Sequence, residues 1–160
     1  MSIIMFFSAE VYAGGQIENN LDVRITIGNG CEITRGTLMH FGKIDFGEYP
    51  NLKNVIDGKS TDGKAGSIGL NCTKGLTFHI SLNNGLQAEG KQRRMKGEQG
   101  DYIKYDLYQD ANHTTLWDNN KFSDMGTGKE TSLIIYGRIP AQPSVKAGTY
   151  TDTVTVTVSW

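Results

Sequence analysis

Hydrophobic and polar residues alternate with a period of two along much of this chain. The longest run is the last, YTDTVTVTVSW at residues 150–160. It puts Val154, Val156, Val158 and Trp160 on one face and Thr153, Thr155, Thr157 and Ser159 on the other. Residues 21–27 repeat the pattern near the start. Leu21, Val23, Ile25 and Ile27 share one face, while Asp22, Arg24 and Thr26 share the other. Period-two alternation marks a strand with one dry face and one wet face. The final residue falls inside the final strand, so a sheet that needs one more strand must take it from elsewhere.

Shorter stretches of the same kind predict strands at 31–34, 67–72, 76–82, 102–108, 114–117 and 132–138. In 102–108, Ile103, Tyr105 and Leu107 oppose Tyr102, Lys104, Asp106 and Tyr108. Thr73-Lys74-Gly75 reads as a hairpin-like connection between two of these strands. Residues 43–66 read mainly as loop, and 87–100 read as a polar, basic loop. No segment sustains a 3.6-residue period. Short strands about ten residues apart predict an all-β sandwich.

The 160 residues suit one domain. Twenty glycines against three prolines fit the many tight turns of an all-β chain. The formal net charge of -1 leaves no electrostatic footprint for nucleic acid or an anionic membrane. No apolar run reaches the length of a membrane span. Residues 1–13, MSIIMFFSAEVYA, hold a short apolar run and end in small residues. They read as a secretory signal truncated at its start and cleaved after Ala13; a buried N-terminal strand is the alternative. In an exported chain, two cysteines most simply form one disulfide, Cys31–Cys72. The alternative is a pair of unlinked buried thiols.

No catalytic or metal-binding constellation stands out. His40, His79 and His113 lie far apart, without ligand spacing to Asp, Glu or Cys. Gly58-Lys59-Ser60 lacks the earlier glycine of a phosphate-binding loop, because Lys53 stands there. The basic run at 91–96 has no interleaved aromatics and reads as solvated loop rather than a nucleic-acid site. These features point to a structural or binding role with no cofactor and no metal.

Several segments, in order, carry a family resemblance. They are Leu38-Met39-His40-Phe41-Gly42, Gly69-Leu70-Asn71-Cys72-Thr73-Lys74-Gly75, Ile80-Ser81-Leu82-Asn83-Asn84-Gly85 and Arg94-Met95. Further on come Tyr105-Asp106-Leu107-Tyr108-Gln109-Asp110, Trp117, Tyr136-Gly137-Arg138-Ile139-Pro140 and Ala147-Gly148-Thr149-Tyr150-Thr151-Asp152. From about Leu21 onward the chain resembles the spore coat protein U domain family, which includes the pilins of archaic (Csu-type) chaperone–usher pili. Met39 and His40 depart from the family's usual residues, and the leader is atypical.

The resemblance implies an incomplete immunoglobulin-like β-sandwich lacking its last strand, completed by a neighbour's N-terminal donor strand. It divides the chain into a leader at 1–13, a donor-strand extension at 14–30 and a sandwich at 31–160. Leu21, Val23, Ile25 and Ile27 would be the donor residues, contributing roughly 6–12 kcal/mol gross when buried. Val154, Val156, Val158 and Trp160 would line the acceptor groove. The alternative for 21–27 is the first strand of the chain's own sandwich. The implied function is a structural pilus subunit that supports attachment and biofilm formation. Its partners would be identical or related subunits, a periplasmic chaperone and an outer-membrane usher, on a route through the periplasm to the cell surface. An adhesin and a non-pilus spore-coat or envelope protein are the alternatives. The short stretch ahead of the sandwich argues against a tip adhesin.

Overall fold

The structure, a computed structural model, describes residues 23–35, 41–61, 68–118 and 121–160. The expected leader, Leu21 and His40 lie outside the described residues. Those residues form twelve strands and no helix. The strands are β1 (Cys31–Arg35), β2 (Lys43–Ile44), β3 (Ile56–Thr61), β4 (Ile68–Cys72), β5 (Thr77–Leu82), β6 (Arg93–Gly97), β7 (Tyr102–Tyr108), β8 (Phe122–Met125), β9 (Glu130–Leu133), β10 (Tyr136–Ile139), β11 (Tyr150–Thr151) and β12 (Val156–Ser159). They pair antiparallel in the orders β1-β4-β9, β11-β6-β7-β10-β3-β2 and β12-β5-β8. The result is a β-sandwich, as the alternation predicts.

One apolar core holds the sheets together. Trp117, Phe78, Ile68, Leu70 and Ile80 are its most deeply buried large side chains. β7 follows its predicted faces, with Ile103, Tyr105 and Leu107 inward. Burial of these side chains is the main favourable term of folding. Cys31 stands opposite Cys72 in the β1–β4 register, and the two are joined by a disulfide. The covalent tie fixes β1 to the centre strand of its sheet.

Several expectations need correcting. The predicted strand at 132–138 is divided: β9 pairs with β4, whereas β10 pairs with β7 and β3. At the break, the buried Ile135 donates its N–H to Ser60 Oγ at 3.0 Å, and Ser60 N–H donates to Ile135 O at 2.8 Å. These bonds satisfy the backbone where the strand changes sheet. The run at 150–160 is divided as well. β11 pairs with β6 and β12 with β5. Thr73-Lys74-Gly75 does not close a hairpin. β4 pairs with β1 and β9, β5 with β12 and β8, and the turn carries the chain between sheets.

The stretch read as basic loop contains β6, and the 43–66 loop contains β2 and β3. Residues 114–117 form no strand. Leu116 makes one isolated bridge to Tyr108, and the segment serves to bury Trp117. β8 has no clear alternating pattern and was not predicted. Its register opposite β5 is set by pairing with that strand.

Candidate functional site

The last strand lies at a sheet edge among the described residues. β12 pairs with β5, setting Val156 opposite Leu82 and Val158 opposite Ile80. It is the terminal strand of its sheet among the described residues. Val154, Val156 and Val158 are half-buried and pack against the core, and the alternate residues Thr153, Thr155, Thr157 and Ser159 are exposed. Trp160 follows β12 and is 60% exposed. β1 also ends its sheet, with half-buried Cys31 and Ile33 packed on the same core. Terminal strands of this kind leave backbone N–H and C=O groups free to pair with another segment.

Residues 23–27 belong to no strand of their own sandwich. Val23, Ile25 and Ile27 are 89%, 83% and 83% exposed. Three alternating β-branched side chains held in water form an uncovered apolar stripe. The chain is anchored just after it. Gly30 N–H donates to Thr73 Oγ1 at 3.1 Å, and Gly30 O accepts from Thr73 N–H at 2.9 Å. Cys31 follows in its disulfide.

A polar cluster fixes the approach to β12, and sequence reasoning missed it. Tyr105 donates its hydroxyl to Asp152 Oδ2 at 2.6 Å. Asp152 Oδ1 accepts from Gln87 N–H at 3.1 Å and Thr153 N–H at 2.8 Å. Asn83 Oδ1 accepts from Thr155 N–H at 2.8 Å and Gly85 N–H at 3.0 Å. Asn83 O accepts from Arg93 Nε and Nη2 at 3.0 and 2.8 Å. Gly85 has a positive φ of 84°, and a Cβ there would collide with the Asp152 carboxylate. Burial, reinforced by the bond to Asp152, raises the Tyr105 phenol far above its ordinary value, so it remains a donor. Burial lowers Arg93, and Tyr105, Asp106 and Asp152 counter it. The available signal was the resemblance itself. Its segments at 83–85, 105–110 and 147–152 are the ones that meet here.

Other candidate chemistry stays dispersed. Arg93 of the basic run is buried, and Arg94 lies 4.2 Å over the Tyr102 ring with Glu89 at 3.1 Å. His79 is half-buried on β5, with Nδ1 2.7 Å from Ser123 Oγ. His113 packs edge-on against Tyr108 with centroids 5.0 Å apart. Among the described residues no group of three His, Cys, Asp or Glu could hold a metal, and no helix is long and apolar enough to cross a membrane.

Comparison with known proteins locates this architecture. Residues 17–157 match the Spore Coat Protein U domain. The chain is 32% identical over 170 residues to Protein U of Myxococcus xanthus, covering 99% of this chain and 92% of that protein. It is also similar to a chain in the crystal structure of the CsuC–CsuE chaperone–tip adhesion subunit pre-assembly complex, from the archaic chaperone–usher Csu pili of Acinetobacter baumannii. The TM-score there is 0.55 at 26% identity over 84% of this chain. This chain spans 40% of the length of that solved chain.

Proposed function

The chain belongs to the Spore Coat Protein U domain family, and on that premise we propose that it is a structural subunit of a chaperone–usher pilus. Subunits join head to tail. The N-terminal segment carrying Leu21, Val23, Ile25 and Ile27 enters the groove beside β12 of the next copy. Val154, Val156, Val158 and Trp160 form one wall of that groove. The partners are identical or related subunits, a periplasmic chaperone and an outer-membrane usher, and the fibre reaches the cell surface to support attachment and biofilm formation. The subunit performs no catalysis.

One observation carries the reading. An apolar alternating segment, exposed and unpaired, belongs to the same chain as a terminal strand whose valines are only half-buried. Each surface supplies what the other lacks, and because the two differ, the contact propagates instead of closing on itself. A strand added to the free edge gains backbone pairing as well as apolar burial. Electron microscopy of cells with and without the gene tests it. Fibres labelled by an antibody to this chain, and absent from the deletion, are expected. Bare cells in both would refute it.

A second reading has one observation in its favour. The relative matched over nearly its full length is Protein U, and the family's description is of a spore coat. A spore-coat or other envelope protein would lack a neighbouring chaperone and usher gene, and its label would coat the cell without fibres.

A further inference from the structure

We propose that Tyr105, Asp152 and Asn83 form a latch that holds the last strand in register while the groove beside it is empty. The inference rests on the donor-strand reading above and names the residues that keep its acceptor ready.

β11 pairs through two residues, and residues 152–155 form no strand as the chain changes sheet. β12 then has four residues and, among the described residues, one neighbouring strand. So short an edge strand frays readily, because ordering costs backbone entropy at every residue and only one side returns hydrogen bonds. The crossing is nevertheless tied at both ends. Asp152 is held by Tyr105 of β7 and by Gln87 N–H. Leu86 N–H donates to Thr153 O at 3.0 Å, and Asn83 N–H donates to Thr155 O at 3.0 Å. Thr155 N–H returns to Asn83 Oδ1, while Arg93 holds Asn83 O.

None of these partners belongs to residues 156–160. The ties therefore draw on the crossing and on the residues around β5, β6 and β7, not on β12 itself. They deliver Val156 opposite Leu82 before any partner arrives. A site that is already formed captures its ligand without the loss that a sparsely populated competent state imposes. Tyr105 and Asp152 are positioning residues in this scheme, since neither is expected to touch the donor.

The test uses the full chain in an Ile25→Asp background, which keeps its own segment out of neighbouring grooves. Tyr105→Phe, Asp152→Ala and Asp152→Asn are compared by amide exchange and by capture of a labelled peptide with the sequence of residues 16–27. Removing a hydrogen bond to a carboxylate is expected to speed exchange at 156–159 about tenfold in Tyr105→Phe and Asp152→Ala. Amides of β10 should not change. Peptide capture should slow by a similar factor with release unaltered. Asp152→Asn keeps an oxygen for the Gln87 and Thr153 amides but sets an NH2 against the Tyr105 hydroxyl, so it should match Tyr105→Phe rather than the parent. Uniformly faster exchange, or capture at the parent's rate, would show that the cluster is ordinary structural bonding. A parent chain that captures no peptide would refute the donor-strand reading, and the exchange arm would still decide whether the cluster holds residues 156–159.

Discussion

Gly137 of β10 stands directly opposite Gly58 of β3, and the Phe46 ring lies over both. A Cβ at Gly137 would sit 2.8 Å from Phe46 Cζ, and one at Gly58 would sit 3.0 Å from Phe46 Cδ1. Two strands thus give up their side chains at one point so that an aromatic ring can approach the sheet closely. Ile44 packs against the same pair, so the glycines also seat the segment that carries β2.

Gly137→Val should therefore expel Phe46 and cost about 2 kcal/mol, in the range of overpacking substitutions. Urea unfolding checks this. Gly100→Ala is no control, because its φ of 88° strains any side chain; Gly28→Ala, which meets nothing within 4 Å, is the suitable one. A Gly137→Val chain as stable as the parent would mean the ring has room to move.

The disulfide should matter in proportion to the loop it closes. Cys31 and Cys72 are 41 residues apart, and restricting that loop in the unfolded chain is worth about 4 kcal/mol in the chain-entropy model. Denaturation with and without reductant should differ by about that amount, and the unreduced, unfolded protein should show no free thiol. Equal midpoints would remove the bond from any account of stability.

The pairing of Arg138 with Asp57 predicts a pH dependence. The guanidinium donates to both carboxylate oxygens, at 2.6 and 2.8 Å. Hydrogen bonding from Arg138 holds the Asp57 carboxyl below its ordinary 3.8 against a smaller opposing effect of burial. A carboxyl lowered by folding contributes stability that is complete above its unfolded value and is lost as pH falls through the folded one. Asp57 is half exposed, so screening keeps the contribution small. Asp57→Asn should lower the melting temperature by a few degrees at pH 7. The gap should close below about pH 4. A gap that stays constant down to pH 2 would show that the charge contributes nothing.

Ile25→Asp should abolish fibres while leaving soluble or chaperone-bound subunit. An unpaired carboxylate in an apolar groove is costly to bury, whereas Ile25 on the free subunit is in water. Folding of the monomer should therefore be unaffected in circular dichroism. Normal fibres from the variant would show that Ile25 enters no groove.

Repeating residues 16–27 after Trp160 through a short flexible linker should give a monomer that melts markedly higher than the parent. Intramolecular supply provides an effective strand concentration of roughly millimolar and covers the exposed valine edge. Sedimentation and thermal melting check both parts. If the extended chain melts no higher, or still polymerises, a self-contained sandwich with a binding role becomes the better account.

The alternation of single strands was legible in the sequence, because period two reports directly which side chains face away from water. Tyr102–Tyr108 has the faces its pattern predicts, and the valines of β12 point inward as their parity requires. The all-β class and the Cys31–Cys72 pair could be read in the same local way, the latter with export as its premise. What the pattern could not report is sheet membership. Both layers of a sandwich face one core, so a strand that crosses between them keeps its alternation, and the breaks at 134–135 and 152–155 left no trace. Nor could it show that Arg93, in a basic run, is buried. Its charge is satisfied by Asn83 O, ten residues away, and only the fold brings that carbonyl within reach. Asp152 reaches Tyr105 across 47 positions and Thr155 reaches Asn83 across 72. Contacts of that separation exist only once the sheets have packed, so the tertiary structure alone decided where the last strand is held.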